Sequence, residues 1–367
     1  MAQIITLDEI RAAQRRLAGV AVRTGLHRVR PERLRLAGQA ELPFELYIKA
    51  ESEQPIGSFK LRGAYNRIVQ LSKEELGRGV ITYSSGNHAQ GVAYAARALG
   101  ARAVIVMPEN APEVKIEATK ALGAEVVLVG PASSERRAKA EELARTHGYT
   151  IIPPYDDAAI IAGQGTCGLE ILEQLGVIGP DASKASGANA AGGVVVLSPV
   201  SGGGLLSGIA SAVKLAAPPQ WERRIEVWGA EPELAADAKE SFDTKTLVEW
   251  TAAQTTRTIS DGLRTQSLGR LNFEHILRYV DGIVTVSEQE IVAAMRVMLA
   301  ATGLVAEPSG AVTLAAALYH HAQLPRCERL VAVLSGGNIE PGLRGELEAG
   351  AAAGAAGGAS KGGRVGV

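Results

Sequence analysis

Several short segments of this 367-residue chain carry residue types that could do chemistry. In SFKLRGAYN (58–66), Lys60 stands between Phe59 and Leu61. Gly57 and Ser58 before it supply a turn and an N-cap, so the lysine would project from the apolar side of a helix's first turn. Burial there lowers an amine's pKa and makes it nucleophilic. A lone lysine is ordinarily a surface residue, so the neighbouring motifs must decide. SSGNHAQG (84–91) directly follows the strand-like GVITY. Small residues at such a strand-to-helix turn leave backbone N–H groups pointing outward, which suits a carboxylate or a phosphate. The same residues would also serve an ordinary turn, with Asn87 turning and His88 starting the helix. SGGGLLSG (201–208) follows VVVLSPV, and its three consecutive glycines would let amides close on a phosphate at a helix start. It lacks the Lys-Ser/Thr of a nucleotide-triphosphate loop and has Ser207 where the dinucleotide fingerprint needs its third glycine.

GQGTCG (163–168) does fit that fingerprint literally. It stands about eight residues after the strand YTIIPP, however, and has no acid at a following strand end, so it reads as helix-packing glycines. It is the sole support for a nicotinamide-dependent oxidoreductase. In GAEPELAAD (229–237), Glu231 and Asp237 could wrap a divalent cation with a carbonyl between them, or be two solvated acids. LSGGN (334–338) follows LVAVL and could aim a strand-end hydroxyl into a cleft beyond the carboxyl ends of the strands. The six histidines show no metal-ligand spacing.

The elements that position these motifs alternate. Strand-like runs at 45–51, 79–85, 101–108, 124–130, 149–154, 193–200 and 225–232 are interleaved with helical patterns at 58–71, 88–99, 112–122, 133–147, 165–175 and 205–216. A helix over 6–19 opens the chain, started by Thr6 with Glu9 three residues on. Strand then helix, repeated, predicts an α/β fold of parallel sheets covered on both faces. GPDASKASGANAAGG (179–193) reads as a flexible insertion, and the Gly/Ala-rich end from about Glu348 as a disordered tail. A hydrophobic fraction of 46% and a net charge of -1 fit a globular chain and argue against nucleic acid or an anionic membrane as main partner. Two cysteines make neither a disulfide framework nor a zinc site, and no signal segment is visible, so a cytoplasmic location is expected. The uncharged stretch 187–213 is long enough for a membrane span, but Pro199 and the Gly/Ser cluster at 201–204 would break it.

These motifs, in this order, together with ESEQPIGSFKLRGA, DGLRTQSLG and AEPSGA, resemble the fold-type II pyridoxal-phosphate enzymes, specifically the threonine/serine dehydratase and serine racemase group. The resemblance runs from about residue 5 to about 345. It implies two open parallel-sheet α/β domains of the tryptophan synthase β type, with the active site in the cleft between them. Residues 1–70 and 158–345 would form the large cofactor-binding domain, 71–157 the small mobile one, and 346–367 the tail. It implies pyridoxal 5'-phosphate carried on Lys60, with Phe59 flanking the ring and Asn87 at its phenolic oxygen. Ser201, Gly202, Gly203, Gly204 and Leu205 would hold the phosphate and Ser335 the pyridine nitrogen; Ser201 replaces the first of the family's usual four glycines. Ser84, Ser85, Gly86, Asn87 and His88 would hold the substrate carboxylate, with Ser85 as acid/base on the face opposite Lys60. Glu231, Ala235 and Asp237 match the metal-binding spacing of the serine racemases, for Mg2+, Mn2+ or Ca2+.

The activity implied is β-elimination from a small hydroxy-amino acid, giving a 2-oxo acid and ammonia. Dehydratases often carry HPFDD where this chain has PPYDD (153–157), whereas racemases tend to have Asn at the position of Tyr155. That favours an L-threonine/L-serine ammonia-lyase, with serine racemase and 3-hydroxyaspartate dehydratase as the alternatives. A homodimer or homotetramer is expected by analogy.

Overall fold

The computed structural model describes residues 4–84, 86–111, 113–130, 133–180 and 192–348. Ser85, nearly all of the 179–193 insertion and the tail beyond 348 lie outside the described residues. Among the described residues, ten strands form two sheets: β1 (Leu26–Arg28), β2 (Glu45–Ala50), β3 (Val80–Tyr83), β4 (Ala103–Pro108), β5 (Glu125–Val129), β6 (Thr150–Ile151), β7 (Val194–Pro199), β8 (Ile225–Pro232), β9 (Gly282–Val286) and β10 (Arg329–Leu334). One sheet has the order β1-β2-β10-β7-β8-β9 and the other β5-β4-β3-β6. Each of these pairings is parallel except that of β1 with β2, a departure from the all-parallel expectation at the sheet edge. The fold is α/β.

Side-chain alternation explains how the smaller sheet is covered. Along β4, Ile105 and Met107 join the helices Lys60–Ile68 and Asn87–Ala98 through Ala64, Ile68, Val92 and Ala96. Val104 and Val106 point the other way, onto Ala140 and Leu143 of the helix Ser133–His147. Both faces are thus dry, and all of β4 is buried. The larger sheet is covered likewise. Val194 and Val196 of β7 meet the helices Ala158–Gln174 and Gly204–Ala216, while Val195 and Leu197 meet Glu288–Thr302 and Pro308–Tyr319.

The opening helix is Leu7–Leu17, fixed by a capping box between Thr6 and Glu9. The helix expected over 165–175 instead begins at Ala158, because the Asp157 side chain accepts the amides of Ala159 and Ile160 and caps it there. GQGTCG therefore lies inside a helix and not at a strand-to-helix turn. A Cβ at Gly163 would come 2.6 Å from the Arg62 carbonyl oxygen, and one at Gly168 would come 2.9 Å from that of Ile209. These glycines let three helices pack at backbone contact, which removes the basis for a nicotinamide site. No helix among the described residues is long and apolar enough to cross a membrane.

Candidate active site

The singled-out residues stand at the carboxyl ends of parallel strands, where loops can converge on a ligand. Ser84 follows β3, Ser201 lies just past β7, and Ser335 follows β10. The start of the Lys60 helix is stitched to the last of these. Ser58 bridges Gly336 and the Phe59 amide donates to the Ser335 carbonyl at 3.0 Å. This corrects the reading of Ser58 as an N-cap. The helix begins at Lys60 with Phe59 in the cap position and no side-chain cap, and the Ser58 hydroxyl is buried without a partner among the described residues.

Lys60 opens the helix Lys60–Ile68. Its Nζ donates to the Pro154 carbonyl at 2.9 Å and lies 5.1 Å from the centre of the Phe59 ring. Surrounding protein holds its pKa at about 8, below the usual 10.5, although the Glu307 carboxyl pulls the other way. Among the described residues the amine has a carbonyl for a partner and no carboxylate within hydrogen-bond distance, so it loses its proton readily.

Asn87 starts the helix after the Ser84 loop, and its amide is held on both sides. Its Nδ2 donates to Glu307 at 2.8 Å, and Asn338 donates to its Oδ1 at 2.7 Å. Glu307 is buried, which raises its pKa to about 8. His88 faces inward. Its Nε2 donates to the Ile152 carbonyl at 3.0 Å, and burial beside Lys60 lowers its pKa to about 3, leaving it neutral. Its imidazole thus props the backbone at Ile152, and its backbone amide is the group the sequence assigned to a substrate.

The glycine loop opens the 13-residue helix Gly204–Ala216, whose N-terminus has no side-chain cap. Gly203 (φ 93°) and Ser201 (φ 60°) both adopt left-handed backbone. A side chain there costs about 1–2 kcal/mol, so serine at 201 is tolerated at some strain, with its hydroxyl 3.2 Å from that of Thr265. A Cβ on Gly202 would fall 2.5 Å from the Tyr155 ring, and one on Gly204 would fall 3.0 Å from the Tyr155 Cβ. Bare backbone, an uncapped helix start and a half-buried amine whose pKa is lowered to about 8 together fit a phosphate-bearing aldehyde: Gly202–Leu205 can hold the anion and Lys60 can join the carbonyl carbon.

Glu231 at the end of β8 and Asp237 at the start of the helix Asp237–Thr244 are buried, each 1% exposed. Burial, with Asp237 nearby, pushes the Glu231 pKa well up, and burial raises that of Asp237 to about 7. Glu231 accepts the Lys239 amide at 2.7 Å, but Asp237 Oδ2 is buried with no partner among the described residues. Nor do three His, Cys, Asp or Glu side chains among those residues converge on a metal position. A cation here would use the two carboxylates and a main-chain carbonyl such as that of Ala235, and the orphaned oxygen fits that use.

Several contributors escaped sequence reasoning. Glu307 sits in AEPSGA, a motif quoted for the resemblance without any role. The segment Ile152–Asp157 joins everything. Ile152 accepts from Thr82 and His88, Pro154 accepts from Lys60, and Tyr155 covers the glycine loop. Asp156 caps the helix Arg270–Tyr279, and Asp157 binds Arg67. Main-chain carbonyls do much of this work, and they leave no trace in residue type.

Residues 27–336 match the model of the pyridoxal-phosphate dependent enzyme family. The chain belongs to this family. It is similar to the L-threo-3-hydroxyaspartate ammonia-lyase of Saccharomyces cerevisiae, 38% identical over 81% of this chain and 83% of the relative. It is also similar to the serine racemase of Schizosaccharomyces pombe, 36% identical over 91% of this chain and 94% of the other. Among solved structures, the serine racemase of Dictyostelium discoideum superposes with a TM-score of 0.77 at 34% identity, covering 92% of this chain and 99% of that one. A solved threonine deaminase superposes with a TM-score of 0.79 at 42% identity, with the same coverage of 92% and 99%.

Proposed function

We propose that this family member removes the β-hydroxyl and the amine of L-threonine or L-serine, giving a 2-oxo acid and ammonia. The observation that carries the reading is Lys60, an amine held at about 8 with a main-chain carbonyl for a partner and no carboxylate bonded to it among the described residues. Pyridoxal phosphate, when bound, supplies the aldehyde that joins an amine and the electron sink that makes the Cα proton acidic. The chain's own groups do the rest. Backbone amides of residues 84–88 would hold the substrate carboxylate. The neutral form of the Lys60 amine, more populated than in an ordinary lysine because its pKa is lowered to about 8, takes the Cα proton, and the Pro154 carbonyl then holds the resulting ammonium. The Asn87 amide is held by Glu307 and Asn338, and the second hydrogen on its Nδ2 would bond the cofactor's phenolic oxygen. Ser335, a neutral hydroxyl at the end of β10, would be the partner for the pyridine nitrogen.

Activity toward 3-hydroxyaspartate, or racemisation of serine, is the second reading. The relatives with those names support it, as does the carboxylate pair Glu231 and Asp237, which would take Mg2+, Mn2+ or Ca2+. Purified protein loaded with pyridoxal phosphate, assayed for 2-oxo acid and ammonia from L-threonine, L-serine, D-serine and 3-hydroxyaspartate and, by chiral chromatography, for D-serine formed from L-serine, separates them. Faster turnover of L-threonine or L-serine supports the first reading, and preference for 3-hydroxyaspartate or net racemisation replaces it.

A further inference from the structure

Beneath the first turn of the Lys60–Ile68 helix lie four charged side chains at most 7% exposed: Lys49, Glu51, Arg62 and Glu170. They come from the end of β2, the turn after it, the helix itself and the helix Ala158–Gln174. Arg62 grips both acids with its planar fork. Its Nε and Nη2 donate to the two oxygens of Glu51, each at 2.8 Å, and its Nη1 and Nη2 to those of Glu170, at 2.7 and 2.9 Å. Nη1 also reaches the Thr166 hydroxyl at 3.1 Å. Lys49 completes the set, donating to Glu170 at 2.6 Å and to the Thr24 carbonyl at 2.9 Å. Two cations and two anions cancel, and each charge is bonded.

Burying such a set costs desolvation that well-packed apolar side chains of equal volume would avoid, so stability alone does not account for it. What bidentate pairs add is angular precision. This helix needs that. Its N-terminus has no capping side chain and no acid in its first turn, and Arg62 itself stands at the positive end of the helix dipole. The two carboxylates reach in from separate elements and supply what the local sequence withholds.

We infer that Arg62, clamped by Glu51 and Glu170, is a positioning residue for Lys60. The fork fixes the roll of the helix start two residues from the nucleophile and thereby aims the Lys60 amine. This rests on the proposed role of Lys60. A misplacement of about 1 Å at a reacting group costs about 10²-fold in rate.

The test compares wild type, Glu170→Gln and the milder Thr166→Val, which removes one bond to Arg62. Three quantities are read: urea stability, the rate at which pyridoxal phosphate becomes borohydride-fixed to Lys60 of the apo-protein, and kcat and KM per loaded subunit. Glu170→Gln is expected to slow attachment and lower kcat by about 10²-fold with KM nearly unchanged, and Thr166→Val to follow in the same direction more weakly. The inference is overturned if wild type labels at Lys60 and the folded variants lose stability while attachment rate and kcat stay at the wild-type values. Should Glu170→Gln fail to fold, an unchanged Thr166→Val overturns it alone. Wild type that attaches nothing at Lys60 ends the proposed function along with it.

Discussion

Lys49 and Lys60 stand at the two ends of one motif-bearing stretch and are treated in opposite ways. Around Lys49 the protein supplies a carboxylate, a carbonyl and an amide oxygen, so its charge is fully matched. Around Lys60 it supplies one carbonyl and a ring face, and keeps the acid that acts on it, Glu307, occupied with Asn87. Both side chains are lysines enclosed by protein; one is a structural cation and the other a reactive amine. What separates them is the partner withheld.

Removing each lysine breaks the comparison in different ways. Lys60→Ala is expected to lower 2-oxo acid production by about 10⁴-fold or more while leaving urea stability close to wild type. Retained turnover would end the assignment. Lys49→Met should do the reverse. It leaves Glu170 with Arg62 alone, costs about 3 kcal/mol in urea unfolding, and keeps Lys60 able to react. A smaller effect probes the cradle. Gly202→Ala drives a methyl into the Tyr155 ring, at a cost of about 1–3 kcal/mol, and should weaken pyridoxal-phosphate binding by about tenfold or more in an equilibrium titration. Adding Tyr155→Ala should recover part of that loss. The subtlest effect is in pH. Because the neutral amine is the nucleophile, the rate of attachment to Lys60 should rise as pH increases through about 8 and level off above it. A rise centred near the ordinary 10.5 would show that the amine is not depressed.

Much of this was legible in the residues. Alternating β-branched runs and helical patterns are enough to give parallel α/β architecture, because buried parallel strands must be apolar on both faces, as β4 and β7 are. The glycines of 163–168 could be assigned to packing because their spacing from the preceding strand was wrong for a nucleotide. The start of the helix at Ala158 was missed because its cap, Asp157, sits within PPYDD and also pairs with Arg67. Ser58 looked like a cap because serine often is one; here its neighbours are drawn into bonds with Ser335 and Gly336 instead. Least legible were the Arg62 clamp and the Pro154 carbonyl. A charge inside an apolar stretch, as at Lys49 in ELYIKAE or Glu170 in GLEIL, is a sign of a buried pair, but its partner lies far off in sequence and only the fold names it.

The most direct test of the account is to fix pyridoxal phosphate to the apo-protein with borohydride near pH 8 and locate the label by peptide mass spectrometry. One label per chain on Lys60, none on Lys49, with a visible absorption band lost on reduction, is the predicted result. A colourless protein, or a label spread over surface lysines with Lys60 unmodified, would contradict it.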